Sequence, residues 1–199
     1  MDQEQLDPIP EPEEELFISR KKFMQICYLF TLGLIVFSTI LLNLFHDQTL
    51  LQIFEKGVAF WMQTIHGVVF GTLAATIMIG LMQIKFFSEV GTFFEDLLQS
   101  IQLRTFDIFA ISLCAGISEE LFFRATIQPW LGVWITSILF IALHGYLDPR
   151  KWKLAIVGCV MVLVAAGLGY LFIFAGIMAA IIAHMVFDLI MLFYYLKFR

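Results

Sequence analysis

Six ionisable side chains in the second half of the chain lie in otherwise apolar stretches: Glu119, Glu120, Arg124, His144, His184 and Asp188. A charged group within hydrocarbon costs about 2.5–3.5 kcal/mol on insertion scales, so such groups are functional candidates by default. A carboxylate beside an imidazole is a workable activator of water. Attack of such a water on a carbonyl also needs a hydrogen-bond donor where the tetrahedral oxygen forms. Glu119, His144, His184 and Asp188 are also types that ligate zinc, although the chain has no HExxH pattern.

Helical spacing sorts these groups. Glu120 and Arg124 are four apart, so they share a helix face and can pair, as buried charges require. Glu119 sits about 100° around the same helix and escapes that pairing. Ser112, Ala115 and Gly116 on the face below Glu119 leave room for a neighbouring helix, a water or a substrate. His184 and Asp188 are again four apart, as are Phe140 and His144. Each residue also has a structural reading: Glu119 as a second structural acid, and the histidines as interhelical hydrogen-bonders. His66, alone in its apolar run, reads as packing or polar glue, and Asp107 as a helix cap or interface charge.

These residues need helices embedded in lipid to position them. Of the 199 residues 60% are hydrophobic and 15% charged, against roughly 45–50% and 25% in soluble domains. That excess of apolar surface makes lipid the solvent. A crossing needs about 20 apolar residues, and six runs qualify: 23–45, 58–84, 106–128, 130–147, 154–172 and 176–196. Gly67, Gly71 and Gly80 in the second run offer close helix packing. Between the second and third runs, Phe86, Phe87, Val90, Phe93, Phe94, Leu97, Leu98 and Ile101 recur at helical spacing opposite polar residues, which reads as an amphipathic helix in the membrane interface.

The expected fold is therefore all-α, a polytopic membrane bundle of about six transmembrane helices plus one interfacial helix. Residues 1–22 read as an acidic, disordered cytoplasmic tail, because seven acids and three prolines fall in the first 15 positions. Residues 23–84 hold two spans, 85–105 the interfacial helix and 106–199 the core with the chemistry. Basic residues set the orientation. With the N-terminus inside, Arg20, Lys21, Lys22, Lys85, Arg104, Arg150, Lys151, Lys153, Lys197 and Arg199 are cytoplasmic and only Lys56 faces out. Both termini are then cytoplasmic. Cys27, Cys114 and Cys159 lie in apolar runs without CxxC spacing and read as hydrophobes, not as a disulfide or zinc framework. No basic patch suggests nucleic acid.

Depth is a geometric check. Counted along ideal helices from the starts of their spans, Glu119 lies about 20 Å in from the cytoplasmic side, and His144 about 20 Å and His184 about 13 Å in from the outer side. In a hydrocarbon layer of about 30 Å, Glu119 and His144 are then offset by about 10 Å. Helix tilt or a break after Arg124 would close that gap.

The pattern resembles a known family. Glu119-Glu120-Leu121-Phe122-Phe123-Arg124 is similar to the EExxxR motif of the CAAX prenyl protease and bacteriocin-processing intramembrane endopeptidases. Phe140-Ile141-Ala142-Leu143-His144 is similar to their FxxxH motif, and His184-Met185-Val186-Phe187-Asp188 to their Hxxx(N/D) motif. The three occur in family order, and the resemblance covers about residues 104–196. It implies an intramembrane glutamic-type endopeptidase with no catalytic metal and no cofactor, acting on a protein or peptide at the bilayer, lipidated or not. By the same analogy Glu119 and His144 activate water, His184 and Asp188 serve the oxyanion, and Glu120, Arg124 and Phe140 support the site. An Asn at position 188 would donate from its amide; an ionised Asp only accepts, which suits Asp188 better to orienting His184. Two alternatives stay open: a non-catalytic binding or immunity protein on the same fold, and a zinc-dependent membrane protease. A proton-carrying transporter fits less well, because paired halves with broken helices are missing. Compact size and the lack of a retention signal point to a bacterial plasma membrane.

Overall fold

The computed structural model describes residues 18–198, all helix and connecting turns. The acidic stretch expected to form a tail lies almost wholly outside the described residues, as does Arg199. The helices are α1 (Arg20–Phe45), α2 (Leu50–Glu55), α3 (Phe60–Gln83), α4 (Ser88–Ile101), α5 (Thr105–Glu120), α6 (Gln128–Leu143), α7 (Trp152–Ala175) and α8 (Ile177–Phe193). A π-helical segment, Leu121–Ile127, joins α5 to α6, and a second, Tyr194–Phe198, ends the chain.

Five stretches are long and apolar enough to cross a membrane: Arg20–Phe45, Phe60–Gln83, Thr105–Leu143, Pro149–Ala175 and Ile177–Lys197. Their outer faces carry large bare hydrophobes, among them Leu29 at 69% exposure and Phe174 at 74%. Water would not tolerate that surface, so the chain is an integral membrane protein. Thr105–Leu143 has 39 residues and as one straight helix would run about 58 Å, nearly twice the hydrocarbon layer. It does not run straight. Gly132 has φ +74° and ψ 171°, a left-handed conformation that suits a residue without Cβ, and there the chain folds back. Phe123 then meets Phe140 with ring centroids 4.8 Å apart. The stretch thus supplies the third and fourth of the six expected legs.

The loops sort to the two ends as alternating legs require. At one end Arg20 clamps Asp107 with two hydrogen bonds of 2.6 and 2.9 Å, and Lys153 on α7 pairs with Glu89 on α4 at 2.8 Å. Asp107 also accepts from the Arg104 backbone at 2.8 Å, so it both caps α5 and ties α5 to α1. At the other end His46 donates to the Thr126 carbonyl at 3.0 Å and stacks on Trp130, while Val58 N–H bonds the Ala175 carbonyl.

The amphipathic segment is helical, and its apolar face is divided. Val90, Phe94 and Leu98 pack inward with α3 and the end of α8, whereas Phe86, Phe93 and Leu97 remain exposed. Helices α3 and α8 approach each other closely. A Cβ on Gly67 would meet the Ala179 carbonyl oxygen at 2.8 Å, and one on Gly71 would meet that of Ala183 at 2.4 Å. Gly80, also expected to serve packing, faces open space instead. The three cysteines are free, with Cys159 exposed and the other two half-buried.

Gly71→Ala is expected to push α3 off the backbone next to His184, at an overpacking cost of about 1–3 kcal/mol. Thermal unfolding in detergent should show a lowered midpoint, with Gly80→Ala unchanged. Equal midpoints for both would deny the close approach.

Candidate active site

The α5–α6 hairpin sets the site. Glu119 lies 13 residues before Gly132 and His144 12 residues after it, so the two legs return them to the same level. Glu119 Oε2 and His144 Nε2 are 3.5 Å apart, where a straight helix would separate the residues by about 37 Å. The offset expected from counting each span separately is absent, because both depths are fixed from one shared fold.

Glu120, Arg124 and His184 form a buried relay. Arg124 Nε donates to Glu120 Oε2 at 3.0 Å, and His184 Nδ1 donates to Glu120 Oε1 at 2.9 Å. Glu120 and Arg124 are both fully buried. Arg124 Nη1 reaches Ser137 Oγ at 3.5 Å across the hairpin, and its guanidinium lies 5.5 Å from the centre of the Phe140 ring. Arg124 sits within the π-helical segment, where Thr126 Oγ1 donates to the carbonyl of Leu121, five residues back; such segments recur at functional sites. Phe140 is in contact with His144 and His184 as well.

Glu119 is placed differently. Its Oε2 is buried yet has no hydrogen-bond partner, and it faces His144 Nε2 at 3.5 Å and His184 Nε2 at 4.0 Å. His144 donates from Nδ1 to the Phe140 carbonyl at 2.7 Å, which turns Nε2 toward Glu119. Asp188 Oδ2 is 3.6 Å from His184 Nε2, beyond hydrogen-bond distance. The contact that orients His184 therefore comes from Glu120, whereas acceptor chemistry alone points to Asp188. A cavity of about 100 Å³ opens beside the cluster, lined by Phe140, His144, Tyr146, Met161, His184 and Asp188. Among the described residues no three His, Cys, Asp or Glu side chains are arranged to hold a metal ion.

All seven site residues named from sequence meet within this one cluster. His66 stays apart, exposed and bonded to the Met62 carbonyl of its own helix. Two neighbours escaped the sequence reading. Ser137 is marked only by a small hydroxyl among apolar residues, and Tyr146 only by lying two residues past His144.

The chain is a polytopic helical membrane bundle with paired acids and histidines at depth. Residues 101–190 match the family model described as Rce1-like, type II CAAX prenyl endopeptidase Rce1-like. The matched segment spans all three motifs and is similar, at family level, to CAAX-type intramembrane proteases. No curated protein and no solved structure matches the chain.

Proposed function

We propose that the chain is a glutamic-type intramembrane endopeptidase, cutting a peptide bond of a membrane-associated protein or peptide. The observation that supports it most is the inequality of the two adjacent acids. Glu120 is committed on both oxygens, to Arg124 and His184, whereas Glu119 keeps an unbonded oxygen facing His144 Nε2. A water between Glu119 Oε2 and His144 Nε2 loses a proton to the carboxylate as its oxygen attacks the peptide carbonyl. The negative charge moves to the carbonyl oxygen, where a doubly protonated His184 donates from Nε2 while Nδ1 stays on Glu120. Collapse of the intermediate breaks the C–N bond, and the proton held by Glu119 passes to the leaving amine. Asp188 shapes the cavity beside His184. The basic residues of the α3–α4 and α6–α7 connections suit a cytoplasmic face, with both termini cytoplasmic in a bacterial plasma membrane.

Quantitative proteomics of membrane and secreted fractions tests this reading. Cells with Glu119→Ala should accumulate an uncut membrane-associated protein or peptide that the wild type processes. Identical fractions would favour a non-catalytic binding protein on this fold.

A further inference from the structure

A second, larger cavity of about 310 Å³ lies next to the site, under α4, lined by apolar residues such as Met78, Met82, Phe94 and Leu98. The two cavities share one wall, built from Tyr146, Met161, Phe187 and Asp188. Of these four side chains only the Tyr146 phenol is a neutral hydrogen-bond donor; Met and Phe donate nothing and an ionised Asp only accepts.

Several contacts hold Tyr146 in that wall. Its ring stacks on Phe94 of α4 with centroids 5.6 Å apart and planes 24° from parallel. Its amide bonds the Ile141 carbonyl at 3.3 Å, so the turn after His144 is closed on α6. Behind it, α7 presents Gly158, where a Cβ would come within 2.9 Å of the Tyr146 carbonyl oxygen. The Asp188 carboxylate and the Tyr195 phenol lie close enough to act on it electrostatically. A donor this well fixed costs little entropy when it binds.

We propose that Tyr146 is a substrate-binding residue, whose phenol donates to a backbone carbonyl of the substrate where the peptide passes from the histidine-lined cavity into the apolar one. This rests on the protease reading of the site. An extended peptide presents a carbonyl to the same side every second residue, and a hydrogen bond formed amid apolar walls is stronger than one in water. An apolar substrate residue next to the cut would fill the cavity under α4, with the Tyr146 ring setting its size limit.

The test uses the full chain in proteoliposomes and a quenched-fluorescent library of short peptides of mixed apolar sequence. Tyr146→Phe keeps the ring and its stacking, so its thermal midpoint should match the wild type. Its KM should rise about fivefold to tenfold, the worth of one neutral hydrogen bond, with kcat nearly unchanged, the signature of lost uniform binding. Tyr146→Ala should in addition accept bulkier residues beside the cut. An unchanged KM in Tyr146→Phe, or a fall in kcat together with a lowered midpoint, would overturn the proposal. If the wild type cuts none of the peptides, the protease reading is what fails, and a binding arm decides Tyr146. Dye-labelled peptides from the same library are titrated onto Glu119→Gln protein with and without Tyr146→Phe. Binding weakened by the same factor upholds the contact; equal binding, or none, removes it.

Discussion

Glu119→Gln is expected to abolish peptide hydrolysis in a protein that still folds and inserts, whereas Glu120→Gln is expected to cost the fold. The substitution is the same and the residues are adjacent, so the difference tests their partners. Glu119 makes no hydrogen bond through Oε2, and an amide of equal size leaves the packing undisturbed while removing the base. General-base catalysis contributes about 10²–10⁴-fold, so the rate should fall by at least that factor. Glu120 neutralises a fully buried guanidinium, whose other hydrogen bond among the described residues is a long one to Ser137 at 3.5 Å. Breaking a buried pair by removing one charge costs about 3–5 kcal/mol, a large share of a stability of about 5–15 kcal/mol. The measurements are folded yield after size exclusion in detergent and cleavage rate per folded protein. Near-normal turnover in Glu119→Gln would move the base to another group. Near-normal yield in Glu120→Gln would mean Arg124 finds compensation elsewhere.

The membrane bundle and the cluster of acids and histidines were legible from the sequence for one physical reason. Hydrocarbon punishes charge, so Glu119, Glu120, Arg124, His144, His184 and Asp188 could persist in apolar helices only by meeting one another. The i,i+4 rule assigned Glu120 to Arg124 correctly because both partners lie on one helix. For His184 spacing places Asp188 on the same face of α8, while the closer acceptor, Glu120, comes from α5. Contacts between helices carry no such periodicity. The level of His144 was obscured in the same way, since counting from separate span starts ignores the fold at Gly132. Counting outward from Gly132 brings Glu119 level with His144, and the pairing of Phe123 with Phe140 follows the same mirror. Gly67 and Gly71 suit close packing by residue type, and both face the α8 backbone. Gly80 shares their helix but faces open space, a distinction that needs the partner helix in view.

His184→Ala is expected to lower the cleavage rate by about 10²–10³-fold, the cost of one oxyanion donor, while Asp188→Ala loses only about tenfold. The reasoning turns on which acid aims the imidazole. Glu120 takes the Nδ1 proton at 2.9 Å, so the ring keeps its orientation when position 188 is emptied. Asp188 Oδ2 stands 3.6 Å from Nε2, outside hydrogen-bond range. It influences the cavity through its charge and bulk, and an effect of that kind is smaller than the loss of a direct donor. Asp188→Asn should run at the wild-type rate or above it, because its amide keeps the size and brings a second donor toward the developing oxyanion. All three variants are to be measured in liposomes, per folded protein, beside Glu119→Gln as the inactive reference. If Asp188→Ala falls as far as His184→Ala, then Asp188 is the orienting group and Glu120 serves Arg124 alone. If His184→Ala keeps wild-type activity, α8 has no part in the chemistry, and the oxyanion donor must be sought on the α5–α6 hairpin.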